Sequence, residues 1–313
     1  MTRTNRWFLY GPFLLAGGVL IAWFMIWRAG ADAMRGAIAE FAEAAASEGA
    51  SVTHAPLRAR GFPFFLRGVV DDFSIAEGDR SFACARLFLD ALPYQPDRVI
   101  FSCGADPAIG VDGALWRLAA PDARASLERD AARGWLARLE TGAVTARDGA
   151  RAASIRSLVV NVGPVAKGDD RLDVALRALD IAPPDREVLV AERIDAAARL
   201  YPPDAAARRR IEIIGLEAIV NEARLAADGD VFLDEDGVNG RLDASVEKPV
   251  GLVRAMRAFG VLAGDDEARA AESGLAMLAI AAGGEIVAPI EFDEREIRLA
   301  GVSLGRRARA GQP

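Results

Sequence analysis

From Trp7 to Trp27 no residue carries a charge, a run of twenty-one positions in a chain whose polarity is otherwise mixed. A helix of that length spans roughly 32 Å, against roughly 30 Å for the hydrocarbon core of a bilayer. Trp7, Tyr10, Trp23 and Trp27 crowd the two ends of the run, where amphipathic rings favour the headgroup level. The pattern predicts a membrane-spanning anchor over residues 1–28. Beyond it Met34, Ile38, Phe41 and Ala45 keep helical spacing as far as Gly49. The helix is therefore expected to continue outward as an amphipathic stalk over residues 29–49. Gly18 and Ala22 make a small-xxx-small pair that can bring two anchors together, although such pairs are common by chance.

From His54 onward a period of two replaces the helical one. Leu158, Val160 and Val162 alternate with other residues, and Leu172, Val174 and Leu176 alternate with Asp173, Ala175 and Arg177. Ile211 and Ile213 precede Gly215, after which Leu216, Ala218 and Val220 resume, so a bulge is expected at the glycine. Asp236-Gly237 lies between Val231-Phe232-Leu233 and Val238 to Val246, a hairpin signal. Ile290 and Phe292, then Ile297 and Leu299, predict a closing hairpin. Two later helices are expected. Pro249 leads into Leu252, Val253, Met256 and Phe259 up to Gly260; Asp265 and Asp266 open the second, which passes Leu275 and Leu278 to Gly283-Gly284. Residues Ala123 to Leu139 fit a helix as well as a strand.

Strands with turns between them, and few intervening helices, fit an antiparallel meander better than βαβ units. The expected fold is mainly β (α+β): an N-terminal transmembrane helix and helical stalk, then a long curved antiparallel β-sheet with a few helices. Residues 50–313 would form one β-rich extracytoplasmic domain, with a candidate sub-boundary near residues 164–170. Alternation of this kind belongs to sheets with one watery face.

Composition narrows the partners. The 313 residues carry a net charge of −7, so no basic face calls for nucleic acid. Lysine occurs only at Lys167 and Lys248. Arg208-Arg209-Arg210 and Arg306-Arg307 read first as solvated surface, with a phosphate or lipid-headgroup contact as the alternative. A cleaved signal peptide competes with the anchor, since Arg3 and Arg6 precede the run and Ala29-Gly30-Ala31 resembles a cleavage site. A signal h-region is shorter, however, at roughly 7 to 15 residues. Arg28 and Arg35 stand close to the other end, so charge orients the anchor only weakly. The denser charge before it favours a cytoplasmic N-terminus. The expected location is the inner membrane, single-pass, with the C-terminal domain in the periplasm.

Cys84 and Cys103 are the two cysteines. With one histidine they cannot build a four-ligand zinc site. Pairing Phe88 with Val99 across the turn at Pro93 and Pro96 sets Arg86 opposite Phe101 and Cys84 opposite Cys103 on one face. Two readings stand: a cross-strand disulfide, suited to an oxidising compartment, or two buried thiols.

Catalytic patterns are thin. Gly301-Val302-Ser303-Leu304-Gly305 reads G-x-S-x-G, but a hydrolase elbow needs a strand, a tight turn and a helix, with an acid and a histidine following. The residues after Gly305 hold neither, and the one histidine, His54, lies far upstream. Asp71-Asp72, Asp169-Asp170 and Asp234-Glu235-Asp236 fall at expected turns, where aspartates satisfy the backbone locally. An EF-hand needs a Glu six residues beyond its glycine, and six beyond Gly237 stands Asp243. No catalytic, cofactor-binding or metal-binding residue is assigned, and no cofactor is expected.

The run Gly61-Phe62-Pro63-Phe64-Phe65, just after the stalk, resembles the Gly-aromatic-Pro-Phe element of a proteobacterial envelope family, domain of unknown function 2125, where it follows an N-terminal membrane segment. Glu296 to Leu299 with Gly301 and Gly305, and Leu225 to Leu242 with Gly240, are similar to that family's later elements. Members often carry tryptophans near Arg210 to Ala223, and this chain has none there. The resemblance spans most of residues 50–305. It implies no activity and no site residues, only a likeness to large envelope proteins whose sheets cradle lipid chains. The functional expectation is a non-enzymatic, anchored envelope protein that contacts inner-membrane lipids through its anchor and binds lipid or another apolar ligand on its sheet. The alternative is a scaffolding component with an envelope protein partner; a hydrolase ranks below both.

Overall fold

The computed structural model describes residues 7–92, 95–104, 107–111, 113–149, 151–182, 191–234, 237–258, 262–263, 265–293 and 296–307. The chain is mainly antiparallel β-structure, with one long N-terminal helix and two shorter helices. It divides into two compact units, Met1–Pro107 and Ala108–Pro313. The division is not near 164–170: those residues turn the chain between two paired strands, with Val165 N–H donating to Arg171 O at 3.0 Å.

In the first unit α1 runs unbroken from Trp7 to Ser47. It ends where glycine is required: Gly49 has φ +91°, and Ala50 and Gly49 donate to Ala45 O and Ala46 O at 2.9 and 3.2 Å. Those two bonds satisfy carbonyls that the last turn would otherwise leave orphaned. The strands are β1 (Ser51–Thr53), β2 (Arg58–Arg60), β3 (Leu66–Glu77), β4 (Arg80–Leu92) and β5 (Gln95–Cys103). β1 and β2 share one edge of β3, β4 takes the other, and β5 follows β4.

The amphipathic stretch expected after the anchor continues α1 and packs its apolar stripe. Ala31, Met34 and Ile38 of α1 join Leu57, Leu66, Val70 and Leu89 in one buried cluster. Gly68 of β3 permits the approach, because a Cβ there would meet Leu57 Cδ1 at 3.0 Å and Met34 Sδ at 3.4 Å. Phe41 is 48% exposed despite its place in the periodic set.

The register between β4 and β5 also differs from expectation. Leu92 pairs with Gln95, as the expected register requires, but the pairing then shifts and Ala91 faces Val99. Three extra residues on β5, Pro96, Asp97 and Arg98, form the irregularity. Pro96 has no N–H to give the ladder. Phe88 therefore faces Ser102 and Leu87 faces Cys103; Cys84 is not directly opposite Cys103. The two cysteines are nevertheless joined by a disulfide, with Cα atoms 6.0 Å apart.

The second unit contains β6 (Ala108–Val111), β7 (Ala114–Ala119), β8 (Arg124–Asp130), β9 (Gly134–Thr141), β10 (Val144–Asp148), β11 (Arg151–Pro164), β12 (Leu172–Ala182), β13 (Ala191–Leu200), β14 (Arg209–Val220), β15 (Ala223–Leu233) and β16 (Val238–Glu247). There follow α2 (Pro249–Ala258), β17 (Leu262–Ala263), α3 (Asp265–Ala281), β18 (Glu285–Asp293), β19 (Glu296–Leu299) and β20 (Val302–Arg307). The ambiguous stretch from Ala123 to Leu139 is thus mostly strand. β9 and β10 lie along one edge of β11. From there each strand pairs with the next through β16, which then takes β18 because α2, β17 and α3 intervene.

The bulge expected at Gly215 is present. Ile213 and Leu216 pair across β15 with two residues between them, and Ile214 is 51% exposed. The β15–β16 hairpin closes from Leu233 to Val238, while Asp236 of its turn signal lies outside the described residues. So do Phe259 and Gly260 beyond α2. The β18–β19 hairpin pairs Phe292 with Ile297.

Candidate functional site

Antiparallel partners share a sheet face, so the registers of the second unit sort its side chains into two sets. Across strands β9, β11, β12, β13 and β14, one row is Leu139, Val160, Leu176, Ala196 and Leu216. Beside it run Leu158, Ala178, Ile194 and Ala218, and on the other side Val162, Val174, Ala198 and Ile213. All are apolar. At about 4.8 Å per strand the first row extends roughly 19 Å.

The opposite face is ionic. Arg177 Nε meets Asp195 Oδ1 at 2.5 Å, and Arg193 contacts Asp195 at 2.9 Å and Glu217 at 3.1 Å. Arg133 and Arg199 both reach Asp173 at 3.0 Å. A shallow basin of about 640 Å³ opens here, bordered by Arg138, Arg177, Asp195 and Glu217 and reached also by Leu176 and Ala196 of the apolar row. These ion pairs are largely solvent-exposed and contribute little each; they keep this face wet and mark the other as the one with apolar capacity.

The apolar face continues along the sheet. Ala218 pairs with Leu225, Leu225 with Val246, and Val246 with Ile286. At that end α2 and α3 lie over it. Val246, Val253, Leu275, Leu299 and Leu304 are 0% exposed and form the heart of the largest buried cluster. Gly251 allows α2 to settle directly on the β14–β15 turn, since a Cβ there would stand 2.2 Å from Asn221 O. At the other end Leu139, Leu158, Val160, Val162, Val174 and Leu176 are half-buried and belong to none of the buried clusters. Among the described residues of the second unit, helices close one continuous apolar face at the α2–α3 end and not over β9 and β11–β13.

A second constellation stands in the first unit. The indole N–H groups of Trp23 and Trp27 donate to Pro63 O at 2.5 Å and Phe65 O at 3.0 Å. Phe62 packs edge-on against Phe24 and Trp27, with centroids 5.5 and 5.9 Å apart. The run Gly61 to Phe65 thus caps the end of the uncharged part of α1. Gly61 has φ +99°, and a Cβ on it would lie 2.7 Å from Phe65 O, so the tight turn needs glycine.

The hydrolytic candidates stay apart. Ser303 sits inside β20 opposite Arg298, not at a strand-to-helix turn. His54 lies between β1 and β2 with Nδ1 2.9 Å from Ala55 O. The acidic clusters hold turns and arginines, but Asp71-Asp72 lies inside β3, where the ladder skips Asp72, rather than at the expected turn. Asp71 accepts from Arg86 at 2.9 Å and from Arg58, which hold its carboxyl below the ordinary range. The side-chain and backbone donors of Arg171 bring Asp169 down to about 2. Asp234 accepts from Gly237 N–H at 2.9 Å and Asn239 at 3.2 Å; Glu235 and Asp236 lie outside the described residues. Among the described residues no group of three His, Cys, Asp or Glu side chains is placed to hold a metal ion.

A family model described as "Uncharacterized protein conserved in bacteria (DUF2125)" matches residues 27–307. The chain belongs to that family. The DUF2125 match takes in the Gly61–Phe65 turn and the described sheets of both units, and begins at Trp27, at the end of the uncharged run. No curated protein and no solved structure matches the chain. Among the described residues one helix, near the N-terminus, is long and apolar enough to cross a membrane; membership in DUF2125 does not by itself establish an anchor.

Proposed function

We propose that this DUF2125 protein is a non-enzymatic envelope protein, anchored by Trp7–Trp27 in the inner membrane, that takes an acyl chain or similar apolar ligand on the face of β9 and β11–β13. The observation that carries this reading is the half-closed apolar face: its rows are continuous with a helix-covered core, yet among the described residues of the second unit no helix covers these strands. The uncovered part of the row, Leu139 to Ala196 over four strands, extends roughly 14 Å and is commensurate with one acyl chain, which spans about half of a 30 Å hydrocarbon core. The disulfide supports a periplasmic domain, because such bonds persist in oxidising compartments. The anchor sets the domain beside a lipid reservoir.

The test is mass spectrometry of organic extracts from the purified full chain and from Leu176→Asp, with Asp195→Asn on the ionic face as the control. A phospholipid or fatty acid retained by the native chain and the control, and depleted in folded Leu176→Asp, is the expected result. Equal occupancy in all three would sink the reading. The scaffolding alternative draws on Met277 and Ile280, 70% and 82% exposed one turn apart on α3, as a contact for an envelope protein partner.

A further inference from the structure

We propose that the aromatic turn Gly61–Phe65 is itself a membrane-contacting element, seated in the interfacial layer of the bilayer that α1 spans; this rests on the anchor reading above. The argument begins with where the turn is fixed. Trp23 and Trp27 stand one turn apart on α1, and both spend their single donor on the turn's backbone, at Pro63 O and Phe65 O. Trp27 is the last residue before Arg28 ends the uncharged run. The turn is thereby held at the level where the helix leaves the hydrocarbon, the depth that tryptophan rings favour.

The turn's own side chains are unsuited to water. Phe62, Phe64 and Phe65 are 43%, 78% and 42% exposed. Three large aromatic side chains exposed within four consecutive residues form a contiguous apolar tip rather than the scattered hydrophobics of an ordinary surface. One nearby charge is neutralised: Arg67 lies 5.6 Å from the Phe65 ring centre and is held by Asp90 through two bonds of 2.5 and 2.8 Å. A lipid interface accepts such a tip, with rings among the acyl-chain ends and the paired guanidinium at headgroup depth. The helix and turn together give the first unit two points of attachment, so the β3–β4 hairpin, roughly 36 Å long, is carried at a fixed angle and its Asp79 end is kept away from the surface.

The test places the photo-cross-linking residue benzoylphenylalanine singly at Phe13, Phe64 or Asp79 of the full chain, reconstituted in phosphatidylcholine–phosphatidylglycerol vesicles. Lipid-mass adducts at 13 and 64 and none at 79 are expected. Adducts at 13 but not at 64, or a protein adduct at 64 in place of lipid, overturn the proposal while the anchor stands. No lipid adduct at 13 removes the anchor reading and this proposal with it.

Discussion

Reducing the Cys84–Cys103 bond should loosen the first unit by an amount that its sequence position sets. The two residues are separated by 19 positions. Chain-entropy loss of 2.1 + 1.5R ln n then gives about 11 cal/mol/K, or about 3 kcal/mol at 25 °C. Reduction is a cleaner perturbation than mutation here. Cys84 is 2% exposed, and an alanine would add the cost of a cavity to the loss of the cross-link, whereas reduction removes no atom from the packing. Amide hydrogen exchange reads the effect locally. For amides that exchange only when the unit unfolds, about 3 kcal/mol corresponds to a fall in protection of roughly two hundredfold. That fall is expected in the β3–β4 ladder, while the β15–β16 ladder of the second unit keeps its protection. A fall below about tenfold, or an equal loss in both ladders, would refute the assignment of the bond as a local cross-link of the first unit.

Ile38→Ala should destabilise the first unit by about 2–4 kcal/mol, because Ile38 is 9% exposed against the sheet; Phe41→Ala, at an exposed position, should stay within about 0.5 kcal/mol. Denaturant unfolding of both variants checks the pair. Asp169 has a folded pKa of about 2, below its ordinary value of 3.8, chiefly through the Arg171 side chain. Its stabilisation is therefore present above about pH 4 and lost as pH falls toward 2. Asp169→Asn should flatten the thermal midpoint's pH dependence across that window, and an unchanged slope would count against the ion pair. Gly61→Ala forces a side chain into a left-handed backbone position against Phe65 O, at a cost of roughly 1–3 kcal/mol; red-shifted tryptophan emission would report release of the Trp23 and Trp27 indoles.

Much of the local structure is legible in the sequence, because it depends on neighbours along the chain. The Gly49 and Gly283 helix ends, the Leu172–Val174–Leu176 alternation, the β18–β19 hairpin and the bulge at Gly215 all follow from short patterns. What fails is non-local. Met34, Ile38 and Ala45 announce an apolar stripe but not the sheet that it meets. The β4–β5 register is right at Leu92–Gln95 and is lost within three residues, because no periodicity reveals an irregularity whose cause is Pro96 and its two followers. The aromatic run from Phe62 is conspicuous in sequence; that Pro63 and Phe65 would serve as acceptors for Trp23 and Trp27, about forty residues away, is not.

The same limit governs the candidate site, and it yields a decisive comparison. Leu176 and Val246 lie on one face of one sheet and belong to the same alternating pattern, so sequence alone gives them the same role. The structure separates them: Val246 is 0% exposed beneath α2 and α3, and Leu176 is half-buried outside every buried cluster. Val246→Asp would enclose a carboxylate with no partner, at several kcal/mol, enough to unfold a marginally stable unit. Leu176→Asp can turn its carboxylate to water and forfeits about two-thirds or more of a leucine's burial, about 1–2.5 kcal/mol. Circular dichroism melts should thus show Val246→Asp lost from the folded pool and Leu176→Asp melting within several degrees of the native chain. Equal tolerance of the two would mean that α2 and α3 do not seal their half of the face. Equal collapse would mean that the β9–β13 half is closed as well, and the acyl-chain reading would go with it.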